Sequence, residues 1–183
     1  MTDMLKNCQL CPRACGADRT KSRGACGAGI EIEAARASLH MWEEPPISGT
    51  NGSGTVFFSH CSLGCVFCQN RKISRREAEG QNITADALAK TFLSLEKKGA
   101  HNINLVTGAH YVPQIIEALQ IARKQGLSLP VVYNSSGYEQ VETLQLLDGH
   151  IDIYLPDYKY YSSYYAGLYS HAEDYREFAS SGY

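Results

Sequence analysis

Between residues 54 and 157 the hydrophobic positions switch repeatedly between a short continuous run and a spaced stripe. The runs GTVFFS (54–59), NINLVT (102–107), PVVYN (130–134) and HIDIYLPD (150–157) read as strands, the last alternating Ile151, Ile153 and Leu155 before Pro156 ends it. Stripes of helical period lie between them. In TADALAKTFLSLEKKG, Leu88, Phe92 and Leu95 share one face, Thr84 offers an N-cap and Asp86 sits in the first turn. Lys97 and Lys98 occupy its last turn and Gly99 stops it. PQIIEALQIARKQG repeats the design with Pro113 at its start, Ile115, Leu119 and Ala122 inward and Gly126 at its close; EQVETLQLLDG is a shorter helix. Strands alternating with helices at this spacing require right-handed crossovers and a parallel sheet, open or barrel-like. The fold class is α/β, with four such strands.

Residues 1–53 lack this rhythm: they are rich in Cys, Gly, Pro and Arg and end in the loop-like WEEPPISGTNGSG, where Trp42, Glu43 and Glu44 are expected to pin a linker to the sheet. The expected organisation is a Cys-rich metal-binding segment and linker over 1–53, followed by an α/β unit over 54–183. A chain of 183 residues with 44% hydrophobic content can bury one ordinary core. Its formal net charge of -2 gives no electrostatic case for nucleic acid. The opening MTDMLKNCQL is no secretory leader, and no apolar run approaches the ~20 residues that span a bilayer, so a cytoplasmic protein without membrane contact is expected.

Thiols stay reduced in that compartment, so the seven cysteines read as metal ligands rather than disulfides. Cys8, Cys11, Cys15 and Cys26 can close a tetrahedral four-thiolate site, a structural zinc or an auxiliary cluster. Cys61, Cys65 and Cys68, in CSLGCVFC, follow the first strand, at the carboxyl rim where parallel sheets collect their chemistry. TGAH, NSSGY and PDYK lie at the same rim after the other strands. Three thiolates leave one position open. Zinc with His60 or an outside ligand would fill it; a [4Fe–4S] cluster would keep one iron free for a substrate.

The spacing C-x3-C-x-aromatic-C, here Cys61, Cys65, Phe67 and Cys68, resembles the radical S-adenosylmethionine superfamily. With EEPPISGTNGSGTVFFSHCSLGCVFCQN, GAHNINLVTGAHYVPQI, PVVYNSSGYE and DGHIDIYLPDYKY, nearly the whole chain is similar to uncharacterised proteins related to pyruvate formate-lyase activating enzyme. The resemblance implies a partial (β/α) barrel, truncated here to about four units, with the later strands missing. It implies that Cys61, Cys65 and Cys68 hold a [4Fe–4S] cluster that binds S-adenosylmethionine and cleaves it to a 5′-deoxyadenosyl radical for hydrogen abstraction. Phe67 would lie near the adenine or shield the cluster. Thr107 and Gly108 would meet the cofactor's ammonium group, although VTGA lacks the family's carboxylate. Asn134 and Ser135 would line the ribose or a cation site, and Asp157 with Lys159 would hold the cofactor or a cation. The implied partners are an electron donor such as flavodoxin or ferredoxin and, as a protein substrate, a glycyl radical enzyme.

The competing class is a non-catalytic Cys-rich module with zinc or iron–sulfur at both sites, or an inactive fragment. The basic run RKISRRE (71–77) reads as an exposed face, and the tyrosines from Tyr158 to Tyr169 as packing over the sheet.

Overall fold

A computed structural model describes residues 2–75, 77, 78 and 80–182. In chain order its strands and helices are β1 (Ile32–His40), α1 (Pro45–Ser48), β2 (Ser53–Phe58), α2 (Arg71–Ser74), β3 (Gln81–Ile83), α3 (Ala85–Lys97) and β4 (Ile103–Val106). They continue with α4 (Val112–Lys124), β5 (Val131–Ser135), α5 (Val141–Leu146), β6 (Ile153–Pro156), α6 (Ser163–Ser170) and α7 (Tyr175–Ser181).

The apolar runs become β2, β4, β5 and β6, which pair in parallel in that order, Val56 opposite Leu105 and Leu105 opposite Tyr133. All of β2 and nearly all of β4 and β5 are buried, as strands covered on both faces must be. Leu88, Phe92 and Leu95 of α3 pack with Ile115, Leu119 and Ala122 of α4 against Val56, Ile103 and Val131 in one core. Thr84 caps α3 by accepting from the Ala87 amide at 3.2 Å. Gly99 and Gly126 take left-handed φ values of +87° and +100° where these helices stop.

Two further strands complete a six-stranded mixed sheet of order β3-β1-β2-β4-β5-β6. β1 runs antiparallel to β2, from Ala34 opposite Phe58 to His40 opposite Ser53, and β3 runs antiparallel to β1. Neither carries a strand signal. IEAARASLH is Ala-rich and mostly unburied, and β3 has three residues, so pairing rather than propensity makes them strands. The sheet therefore draws on residues from both sides of position 53.

β6 is the least buried of the parallel strands. Among the described residues it pairs with β5 alone. Tyr154 meets Tyr133 ring to ring at 6.1 Å in the core, whereas Ile153, on the opposite face, is 38% exposed. Beyond β6, α6 and α7 bring Ala166, Ala172, Tyr175 and Ala179 against Leu63, Cys65, Tyr138 and Tyr160 in a second apolar cluster. Tyr160 is thus packing, as expected, while Tyr158, Tyr161, Tyr164, Tyr165 and Tyr169 remain exposed. No helix among the described residues is long and apolar enough to cross a membrane.

Candidate active site

The loop of residues 61–68 leaves β2 through His60, whose φ of 71° lies in the left-handed region that a residue with a side chain rarely adopts. His60 is buried; its Nε2 lies 3.0 Å from Glu33 Oε2 and its Nδ1 3.2 Å from the Arg75 carbonyl. Burial pushes the Glu33 carboxyl up, but the hydrogen bonds from His60 and Arg23 outweigh it and hold the group below its ordinary value. The chain can turn here because these partners fix the turn.

Two arginines then grip the loop by its carbonyls. Arg13 donates from Nε to Ser62 O at 3.0 Å and from Nη2 to Leu63 O at 3.3 Å. Arg75 donates from Nη1 to Gly64 O at 3.0 Å and from Nη2 to Cys65 O at 3.1 Å. Four consecutive carbonyls, 62 to 65, are therefore engaged by guanidinium groups. The amides of Leu63 and Gly64 lie near enough to the Cys61 thiol to favour its thiolate.

Burial pushes the Cys61 thiol up to about 11, the two amides pull it back, and Cys65 and Cys68 push it further. The three thiols are thus electrostatic neighbours on one loop. Ser74 donates to Cys68 Sγ at 3.2 Å. Tyr160 is raised to about 12, first by burial, with Cys65 contributing. Among the described residues no group of three or more His, Cys, Asp or Glu side chains is shaped around a single metal ion. A cubane does not need that shape, because each thiolate binds a different iron and the sulfurs stand farther apart than around one zinc. The thiols, amide donors and flanking cations fit a cluster.

All three thiols open on one cavity of about 550 Å³ at the carboxyl ends of the parallel strands. Phe67 lines it, 56% exposed and edge-on to Tyr160 with centroids 5.9 Å apart. Thr107 lines it too, with a φ of 62° that is a clear outlier for a β-branched residue. Asp157 and Lys159 stand on the far wall as an ion pair of 2.6 Å. Asn134 and Ser135 also border the cavity, but the Ser135 hydroxyl accepts from the Gly137 amide at 3.1 Å, which is turn chemistry. Gly108 is not on the lining. A Cβ there would come within 2.8 Å of Ile115 Cδ1, so this glycine serves close packing beneath the sheet.

One lining residue escapes a reading of the sequence. Glu43, from the segment expected to be a linker, reaches into the cavity, where its Oε2 accepts from Asn104 at 2.7 Å and Asn134 at 3.2 Å. A carboxylate, absent from VTGA, thus reaches the cavity from elsewhere in the chain. His110, by contrast, is a buried group lowered to about 3, first by burial, whose Nε2 is 2.8 Å from the Ser59 carbonyl. It supports the strand end. Arg76, in the basic run, lies outside the described residues.

The sequence model of the Radical SAM superfamily matches residues 55–177, from the second residue-pair of β2 into α7. The chain belongs to the radical SAM superfamily. An uncharacterised protein of Methanocaldococcus jannaschii is 31% identical over 163 residues, which are 86% of this chain and 47% of the relative. The chain spans about half the length of the curated relative it matches. No solved structure matches it. Membership of the radical SAM superfamily implies a [4Fe–4S] cluster and S-adenosylmethionine.

Proposed function

We propose that this radical SAM chain cleaves S-adenosylmethionine reductively for hydrogen abstraction from a second molecule. Cys61, Cys65 and Cys68 would hold a [4Fe–4S] cluster as thiolates, and it would supply one electron to the sulfonium of S-adenosylmethionine, whose carbon–sulfur bond would break to give methionine and a 5′-deoxyadenosyl radical. Arg13 and Arg75 fix the loop by holding its carbonyls from Ser62 to Cys65. Glu43 accepts from the amino group of S-adenosylmethionine, and Lys159 donates to its carboxylate. Thr107 and Asn134 orient the nucleoside, and Phe67 with Tyr160 screens the site from water.

The observation that carries this reading is the meeting of three thiols in one cavity with Glu43, Asp157 and Lys159. Anaerobic reconstitution tests it. About four iron per chain should depend on Cys61, Cys65 and Cys68 and disappear on changing them to Ala; zinc bound by these thiols without iron contradicts it.

The partners follow from the resemblance to activating enzymes. The electron donor is of the flavodoxin or ferredoxin type, supported by a groove of about 790 Å³ beside the cavity that carries Arg36, Arg71 and Lys72 and suits an anionic protein. The hydrogen comes from a glycine of a glycyl radical enzyme. A glycyl radical signal in such an enzyme after incubation with the reduced chain and S-adenosylmethionine supports this substrate. A wholly small-molecule hydrogen donor contradicts it.

A further inference from the structure

Arg19 is 2% exposed, one of the largest fully buried side chains in the protein. Its Nε and Nη2 donate to Gly29 O at 2.9 and 2.5 Å, and its Nη1 donates to His110 O at 2.5 Å. The same Nη1 lies 3.9 Å from Cys8 Sγ, and the guanidinium stands over the Tyr111 ring at 5.5 Å. Among the described residues no carboxylate pairs with it. A buried cation without an anion carries a desolvation penalty of several kcal/mol, so the balancing charge has to come from its surroundings. The thiol beside it is Cys8, on the same turn as Cys11 and Cys15.

The local backbone is built around those sulfurs. The Ala28 amide is 3.4 Å from Cys26 Sγ, and the Cys8 amide donates to the Ala17 carbonyl at 3.1 Å across the turn. Gly24 lies between two of the thiols: a Cβ there would sit 3.5 Å from Cys26 Sγ and 3.6 Å from Cys15 Sγ. The Cys11 carbonyl accepts from the Ala14 amide at 2.9 Å and the Cys8 carbonyl from the Gly16 amide at 3.0 Å, which holds Cys8, Cys11 and Cys15 on one tight loop. The turn from Cys11 to Cys15 places Ala14 at φ 38° and Gly16 at φ 63°. The apolar support is slight: Leu5, Cys8 and Leu10, with Ile30 beside them. Such a segment needs a staple.

Arg13 lies inside that turn. Besides Ser62 and Leu63 of the 61–68 loop, its guanidinium donates to the Ser170 carbonyl at 2.6 Å and to the His171 carbonyl, and it stacks over Tyr138 at 5.2 Å.

We infer that Cys8, Cys11, Cys15 and Cys26 form a four-thiolate metal centre, charge-balanced by Arg19, that braces the 61–68 loop through Arg13. The ligand chemistry is thiolate and the group an iron–sulfur cluster, because among the described residues these thiols are not gathered around a single ion as zinc requires. Four thiolates on a cluster make an anionic unit that gives Arg19 its counter-ion. The coupling rests on the reading of Cys61, Cys65 and Cys68 as cluster ligands; the centre itself does not.

The C61A/C65A/C68A variant of the whole chain isolates the centre. Reconstituted anaerobically with iron and sulfide and passed over a chelating resin, it should retain about four iron per chain. Adding C11S and C26S should remove them. A folded triple variant that takes up no iron, that holds zinc instead, or whose iron survives C11S and C26S overturns the centre. For the brace, Arg13→Ala in the otherwise intact, reconstituted chain should keep the amino-terminal metal and shift the midpoint potential of the Cys61–Cys68 cluster downward, because a positive charge is lost; Arg13→Lys should restore part of the shift. An unchanged potential in both variants overturns the brace while leaving the cluster reading in place.

Discussion

The half of the molecule built on β2, β4, β5, α3 and α4 and the cysteine-bearing first thirty residues reach order by different routes. In the first, a continuous apolar core of Phe92, Leu88, Ile115, Leu105 and their neighbours is assembled by helical and strand periods. In the second, Leu5, Cys8 and Leu10 are nearly all the buried apolar material, and Arg19, Arg13 and backbone amides organise the chain around sulfur. The contrast teaches where each half should break. Loss of apolar volume should disable the first, and loss of charge or thiolate the second.

The largest effect is expected from Phe92→Ala, which removes a fully buried ring from the α3 face. It should cost about 3–5 kcal/mol in denaturant unfolding, with or without metal. A cost that vanished in the metal-free protein would erase the distinction between the halves. Arg75→Ala comes next: losing the charge-assisted bonds to Gly64 and Cys65 should cost about 1.5–3 kcal/mol, read mainly as iron lost from the loop while the helical circular dichroism stays. Thr84→Ala removes the α3 cap and should lower stability by about 1 kcal/mol without touching iron content.

The smallest effect lies on the acid side. Because the folded Glu33 carboxyl is held below its ordinary value of 4.5, its contribution is complete above that value and fades as pH falls through the folded one. Stability of Glu33→Gln should accordingly be flatter than wild type below pH 4.5, and a parallel curve would show that the His60–Glu33–Arg23 link is idle.

The same division decided what could be read in advance. Apolar periodicity and caps located the four parallel strands and the two long helices, and the spacing of Cys61, Cys65 and Cys68 pointed to the cavity rim. β1 stayed hidden because Ala, Arg and Ser carry no strand period, and its order comes from β2 alongside. Glu43 stayed hidden because only the fold carries the end of β1 back over Asn104 and Asn134. Arg13, Arg19 and Arg75 look like surface charges in a sequence, yet each is tied to backbone carbonyls. Gly108 looked like a cofactor contact because glycine permits close approach; what approaches it is Ile115.

The most direct test is the product made from S-adenosylmethionine. The anaerobically reconstituted chain, reduced with a low-potential donor, should form 5′-deoxyadenosine and methionine in equal amounts, and C61A, C65A or C68A should form neither. A fully loaded, reduced cluster that leaves S-adenosylmethionine intact would contradict the account.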